Sequence, residues 1–469
     1  MADNQDINKL EIKLDIALKN RHKLISVIKK LKKDKNNFQP IIIEAEKYLI
    51  NHQYDKYHSI LSNFRKDIKD NIGQNKKDKA KVAYLEAQEY YSRLEYELAN
   101  KLYKKSVELD PNNDVYLLAY AKILLLYKNY KKAIINATKS LEIKKTLYKD
   151  RLDSLRFVSN YDILAVGYYF ISKYKKSEFF MLKKLEIEKK VLGENHLDTA
   201  STYNSLGVLY NKNGEYNKAI EYHKKALKIR LDILGENHPA TARSYNKLGF
   251  AYYNNGEYNK AIDYYKKALK IRLDILGENH LYTGASYNNL AVSYNNNGEY
   301  EKAIYYNKKT LKITLSIFGE NSLDTATTYG TFGSIYNSMG EYDKAIEYYK
   351  KALKIRLAIL GKEHPHTAVS YTNLGNVYTS KKEYSQAIKY ITKGLDIRIK
   401  VLGKDHLETA FSYYSLGILI FNQEHSVGSY ILILKAIQIY EKTLSSTNPK
   451  LIKAKKNLEL IKTELSKSN

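Results

Sequence analysis

The chain contains no cysteine and no tryptophan, and only 5 prolines and 3 methionines among 469 residues. Without cysteine there is no disulfide framework, no thiolate nucleophile and no Cys-ligated zinc site. That fits a reducing, cytoplasmic setting. The most apolar stretches, 116–127 and 418–421, fall far short of the roughly 18 apolar residues that a membrane-spanning helix needs. The opening MADNQDINKL is polar and mixed in charge, unlike a secretory signal. H-E-x-x-H, Walker A and G-x-S-x-G signatures are missing, as is G-x-G-x-x-G in its strand–helix context. The expectation is a soluble, cytoplasmic, non-enzymatic chain with no cofactor and no metal.

Acidic residues are in deficit. There are 51 Asp+Glu against 78 Lys+Arg, a net charge of +27. The excess is spread along the chain and reads either as a solvated lysine-rich surface or as a positive potential favouring acidic peptide, nucleic acid or a membrane surface.

What the chain does have is a glycine that returns every 42 residues, at Gly193, Gly235, Gly277, Gly319, Gly361 and Gly403. The surrounding sequence returns with it: VLGENHLDTA, ILGENHPATA, ILGENHLYTG, IFGENSLDTA, ILGKEHPHTA, VLGKDHLETA. A fixed period of this size means stacked supersecondary units, each touching its neighbours, rather than one globular core. Within one unit, Tyr203, Leu206, Gly207 and Tyr210 share a helix face. Gly214 supplies a left-handed stop. Ala219, Ile220, His223, Ala226, Leu227 and Ile229 then mark a second, longer amphipathic helix ending at Gly235. Gly207, Ala219 and Ala226 allow the two helices to approach closely, and the tyrosines fill the space between layers.

The spacing Tyr203-x2-Leu206-Gly207-x2-Tyr210, followed by Ala219 and Ala226, resembles the tetratricopeptide pattern. The 42-residue period, the L-G-x-x-H-P-x-T-A junction and the A-L-x-I-R helix end resemble the repeats of kinesin light chains and their bacterial relatives, over 160–443. The resemblance implies an all-α, right-handed α-solenoid of about nine to ten helix-turn-helix pairs with helical N- and C-terminal caps. It also implies a scaffold or adaptor that binds a partner's extended segment on the concave face.

The expected organisation has four parts. Residues 1–75 form a helical N-terminal cap or short coiled-coil segment with a degenerate repeat around Tyr48, Tyr54 and Tyr57. Residues 76–153 hold two repeats of the shorter type and a linker, 154–447 the array of 42-residue units, and 448–469 a capping helix. Ile7, Leu10, Leu14, Ala17, Leu24, Ile28 and Leu31 lie on a heptad seam, which either packs in cis or mediates self-association.

The recurring His196, His238, His280, His364 and His406 invite a metal or catalytic role, but successive units lie about 10 Å apart in a helix stack, so they cannot converge on one ion. They read as caps or loop packing. The resemblance places helix A residues between the packing positions on the concave face: Asn204, Asn246 and Asn288, with Gly330 and Thr372 departing from the pattern. Their neighbours Lys247, Asn289 and Asn373 go with them, as do Asn211, Tyr253, Asn295 and Asn337 one turn on. An Asn carboxamide offers donors and an acceptor, so a row of them can hold an extended backbone. Lysines and Arg243 at the edges can hold acidic side chains. Nucleic-acid binding through positive charge and Tyr stacking is the second reading; it predicts salt-steep binding without sequence preference.

Overall fold

The computed structural model describes residues 76–149, 154–424, 427–444, 446 and 448–467. The seam at 7–31 and the repeat around Tyr48, Tyr54 and Tyr57 lie outside the described residues. Among these, regular structure is helical only. The chain divides into two compact units at Leu152/Asp153.

The first unit contains two helix pairs, α1 (Lys76–Ser92) with α2 (Tyr96–Leu109) and α3 (Asp114–Leu126) with α4 (Tyr130–Leu147). Ala87, Ala99, Tyr103 and Ile123 form its core. Asn113 opens α3 by accepting from the amides of Val115 and Tyr116.

In the second unit, helix A and helix B alternate as α5 (Val158–Phe170), α6 (Tyr174–Leu192), α7 (Leu197–Asn213), α8 (Tyr216–Leu234), α9 (Pro239–Asn254) and α10 (Tyr258–Leu276). They continue as α11 (Leu281–Asn296), α12 (Tyr300–Phe318), α13 (Leu323–Ser338), α14 (Tyr342–Leu360), α15 (Pro365–Ser380), α16 (Tyr384–Leu402), α17 (Leu407–Glu424) and α18 (Val427–Thr443). A single helix, α19 (Pro449–Lys467), covers the last pair. This is an all-α solenoid of stacked pairs.

Three local interactions build each junction between units. The recurring glycine leaves helix B with a backbone that only glycine adopts without strain: Gly277 has φ 78° and ψ 175°. Six residues later a threonine hydroxyl donates to that glycine's carbonyl, as from Thr241 to Gly235 at 2.8 Å and from Thr283 to Gly277 at 2.8 Å. Between them the recurring histidine caps the next helix A. The His238 Nδ1 accepts from the Ala240 amide at 3.1 Å, and the His364 Nδ1 accepts from the His366 amide at 3.1 Å. Ser322 does the same for Thr325 at 3.1 Å. The histidines are therefore caps, and each is spent on its own helix.

Inside a pair, the glycine of helix A allows close contact. A Cβ on Gly249 would lie 2.9 Å from the Tyr265 ring, and one on Gly333 would lie 2.8 Å from the Tyr349 ring. At the A–B turn two tyrosines stack almost parallel, with Tyr252 and Tyr264 at 5.4 Å and 4°, and Tyr294 and Tyr306 at 5.6 Å and 3°. A lysine covers each stack, with Lys260 5.4 Å from the Tyr252 ring and Lys302 5.4 Å from the Tyr294 ring. The same lysines pair with Glu257 and Glu299 at 2.5 Å. Part of the high tyrosine and lysine content is thus structural.

The array curls until its last pair meets its first ones. The Asn448 side chain is 3% exposed and donates from Nδ2 to the Asn213 carbonyl at 2.6 Å, across 235 residues of sequence. Leu444 and Leu451 join the core that begins with Ala165 and Tyr174.

The turn glycine of other units is replaced by Lys382, which keeps φ at 62°. Lys382→Gly is expected to raise stability by about 1 kcal/mol, since a side chain in the left-handed region costs about that much. Gly277→Ala is expected to lower it by about 1–3 kcal/mol. The urea-unfolding midpoints of both variants, followed by circular dichroism, check this pair of opposite signs.

Candidate functional site

Each helix A from α7 to α17 leaves one stripe exposed or half-exposed. On α9 it consists of Arg243, Lys247, Phe250 and Asn254; on α7 of Ser201, Ser205, Val208 and Lys212; on α15 of Val369, Asn373, Asn376 and Ser380. The stripes of α11 (Ala285, Asn289, Val292, Asn296), α13 (Thr327, Gly330, Ser334, Ser338) and α17 (Phe411, Ser415, Ile418, Asn422) follow the same spacing. None of these positions carries Asp or Glu, while helix B surfaces alternate the two signs, as in Lys225–Glu221 and Lys351–Glu347. The lysines of helix B are in part neutralised by these pairs; those of the stripe are not.

The asparagines along the stripe hydrogen-bond from one unit to the next. Asn289 Nδ2 donates to Asn246 Oδ1 at 2.8 Å, and Thr331 donates to Asn288 Oδ1 at 3.1 Å. Asn254 donates to Asn211 Oδ1 at 3.3 Å, and Asn296 donates to the Tyr253 hydroxyl at 3.0 Å. In every case the donor lies 43 residues after the acceptor, one period plus one residue. Asn204 turns towards its own helix B, its Oδ1 lying 3.1 Å from His223 Nδ1. Asn295 is buried and its Oδ1 has no partner; the Oδ1 of Asn337 is also buried and unpartnered. Asn373 is half-buried. Arg243 and Lys247 are exposed. At the equivalent position of α15, Thr372 is buried, donates to the Ala368 carbonyl and accepts from Arg398.

A second inter-unit contact was not visible from single repeats. The arginine ending helix B reaches the serine of the next helix A: Arg272 donates to Ser286 at 2.6 Å and Arg356 to Ser370 at 2.7 Å. Burial pushes both guanidinium groups below their ordinary value. The co-occurrence of this Arg and Ser at a spacing of 14 residues in four units was the available signal.

The stripes of α7 and α9 look across a cavity of 400 Å³ onto Leu407, Glu408, Leu444, Asn448 and Lys450 of the last pair and its cap. Among the described residues, no group of three or more His, Asp or Glu is placed to hold a metal ion, and no helix is long and apolar enough to cross a membrane.

A family model for the tetratricopeptide repeat matches residues 159–232, 198–274, 240–316, 282–358, 324–400 and 367–424. No curated protein matches the chain. Among solved structures, the fold is similar to a Podosopora anserina protein with nearly identical kinesin light chain TPR-like repeats, at 22% identity and TM-score 0.37, covering 44% of this chain and 97% of that one. It is similar to BtubC (BKLC) from P. vanneervenii, at 23% identity and TM-score 0.38, covering 54% and 93%. It is also similar to the apo form of the quorum sensor NprR from B. thuringiensis, at 15% identity and TM-score 0.50, covering 76% and 98%.

His223 stands where two other units have Tyr265 and Tyr349. It is 1% exposed. Burial, with Lys247 and Arg230 nearby, pushes its imidazole down to about 3. The unfolded chain therefore binds a proton that the folded one does not, so stability is lost as pH falls below the unfolded value near 6.5. At pH 5 the loss is about 1–2 kcal/mol. His223→Tyr is expected to remove this part of the pH dependence, as read from urea-unfolding midpoints between pH 7.5 and 5.

Proposed function

Since the chain belongs to the tetratricopeptide repeat family, whose stacked pairs serve as non-catalytic scaffolds for protein contacts, we propose that it is an adaptor binding an extended, acidic segment of a partner protein along its helix A stripes. The observation that carries this is the stripe on every helix A from α7 to α17, which holds no Asp or Glu beyond the first turn. On α9 it adds Arg243 and Lys247, which make no ion pair or hydrogen bond among the described residues, beside Phe250, which is 46% exposed. A stripe that has unpaired cations and no carboxylate beyond its first turn attracts an acidic chain and disfavours a basic one.

The stripes of α7 and α9 face residues of the last pair across the cavity, and this supports reading them as the concave face of the turn. Asn246 and Asn288 each accept one hydrogen bond from the next unit and retain their amide donors. Those donors suit the carbonyls of an extended backbone, and Arg243 and Lys247 suit its carboxylates. The ladder between units also presents them at a fixed spacing, which lowers the ordering cost of binding.

Selection from a random peptide display library against the full chain tests the proposal. The expected outcome is enrichment of Asp- and Glu-rich segments, with binding weakened about tenfold or more by Arg243→Glu/Lys247→Glu, the loss of two charge-assisted contacts. Failure to enrich any peptide, together with steeply salt-dependent uptake of single-stranded nucleic acid, contradicts it and favours the second reading.

A further inference from the structure

The cavity between the first and last parts of the array has a composition of its own. Lys212 from α7, Lys247 from α9 and Lys450 from α19 all line it, and the single carboxylate on its wall is Glu408. None of the three lysines makes an ion pair with any described residue; the Lys450 ammonium lies 5.7 Å from the centre of the Phe411 ring. Bringing three ammonium groups from distant parts of the sequence around one space opposes closure of the turn, because like charges there repel.

A second observation concerns Asn211, also on the wall. Its side chain is 7% exposed, its Oδ1 is engaged by Asn254, and its Nδ2 is buried with no acceptor. A buried amide donor without a partner costs about 1–3 kcal/mol, so native structures rarely leave one unless something else fills the role. Unpaired ammonium donors around one space lack an anion with several acceptor oxygens, and the wall they share already holds an amide side chain with a donor to spare. The volume of 400 Å³ lies in the range of small-molecule sites.

We infer that this cavity binds a small, multiply charged anion, carrying carboxylate or phosphate groups, that fastens the last helix pair and its cap onto the first ones. The anion neutralises the lysines and so holds the Asn448–Asn213 contact closed. The site shares Lys212 and Lys247 with the stripes proposed above as a partner surface, but Lys450 and Glu408 belong to it alone and Arg243 to the stripe alone.

The test is calorimetric titration of the full chain with pyrophosphate, with citrate and with an acidic hexapeptide. The background is sodium chloride, and the comparison is Lys212→Gln/Lys450→Gln, whose two positions are exposed and leave the core intact. The expected result is saturable 1:1 uptake of pyrophosphate, citrate or both, weakened about tenfold or more in the double variant and unchanged in Arg243→Gln. Uptake should also slow hydrogen exchange in α19. Pyrophosphate alone identifies a phosphate ligand, and citrate alone a carboxylate one. No saturable uptake of either, or uptake equally strong in the double variant, overturns the inference. So does binding of the hexapeptide only, with loss in Arg243→Gln, an outcome that supports the partner surface instead.

Discussion

The rest of the array depends on a short tether in each junction, where a threonine hydroxyl holds the carbonyl of the glycine six residues before it. The tether fixes the glycine in a conformation closed to other residues and delivers the next histidine or serine to its capping position. Helix B is thereby given one exit direction and helix A one entry direction. Repeated at every junction, a single local angle becomes a regular stack. Because the stack is regular, equivalent residues face each other at one period plus one residue, and the asparagine ladder follows from that. The same regularity returns the last pair to the first, which a stack with variable junctions would not do.

The positive charge has more than one use. Lysines at the A–B turns lie over stacked tyrosines and against glutamates, so they hold pairs together. Others on helix B pair with acids one turn away. Only after these are set aside do the cations of the helix A stripes and of the cavity stand out as unpaired. Charge counted over the whole chain mixes these populations, and for this reason it could not choose between a solvated surface and a binding one.

The repeat made the fold legible. Glycine period, helix faces, turn positions and the capping role of the histidines all follow from local chemistry repeated many times. The binding residues were less legible, because the same residue type does different work at equivalent positions. Asn204 turns to His223, Asn246 and Asn288 receive the next unit, and Thr372 is buried by Arg398. Which of these occurs depends on side chains elsewhere in the stack, such as His223 beside Asn204, Asn289 beside Asn246 and Arg398 beside Thr372. The contact of Asn448 with Asn213 had no sequence signal at all: it spans the array, and its existence depends on the sum of all junction angles.

The most direct test of this account is a distance measurement between spin labels on cysteines introduced at Lys228 and Lys456, both exposed, in a chain that has no cysteine of its own. One narrow distance distribution is expected, broadening when Gly277→Ala disturbs a junction between them. A broad distribution in the unaltered array, unaffected by that substitution, would contradict the claim that the junction tether sets the closed turn.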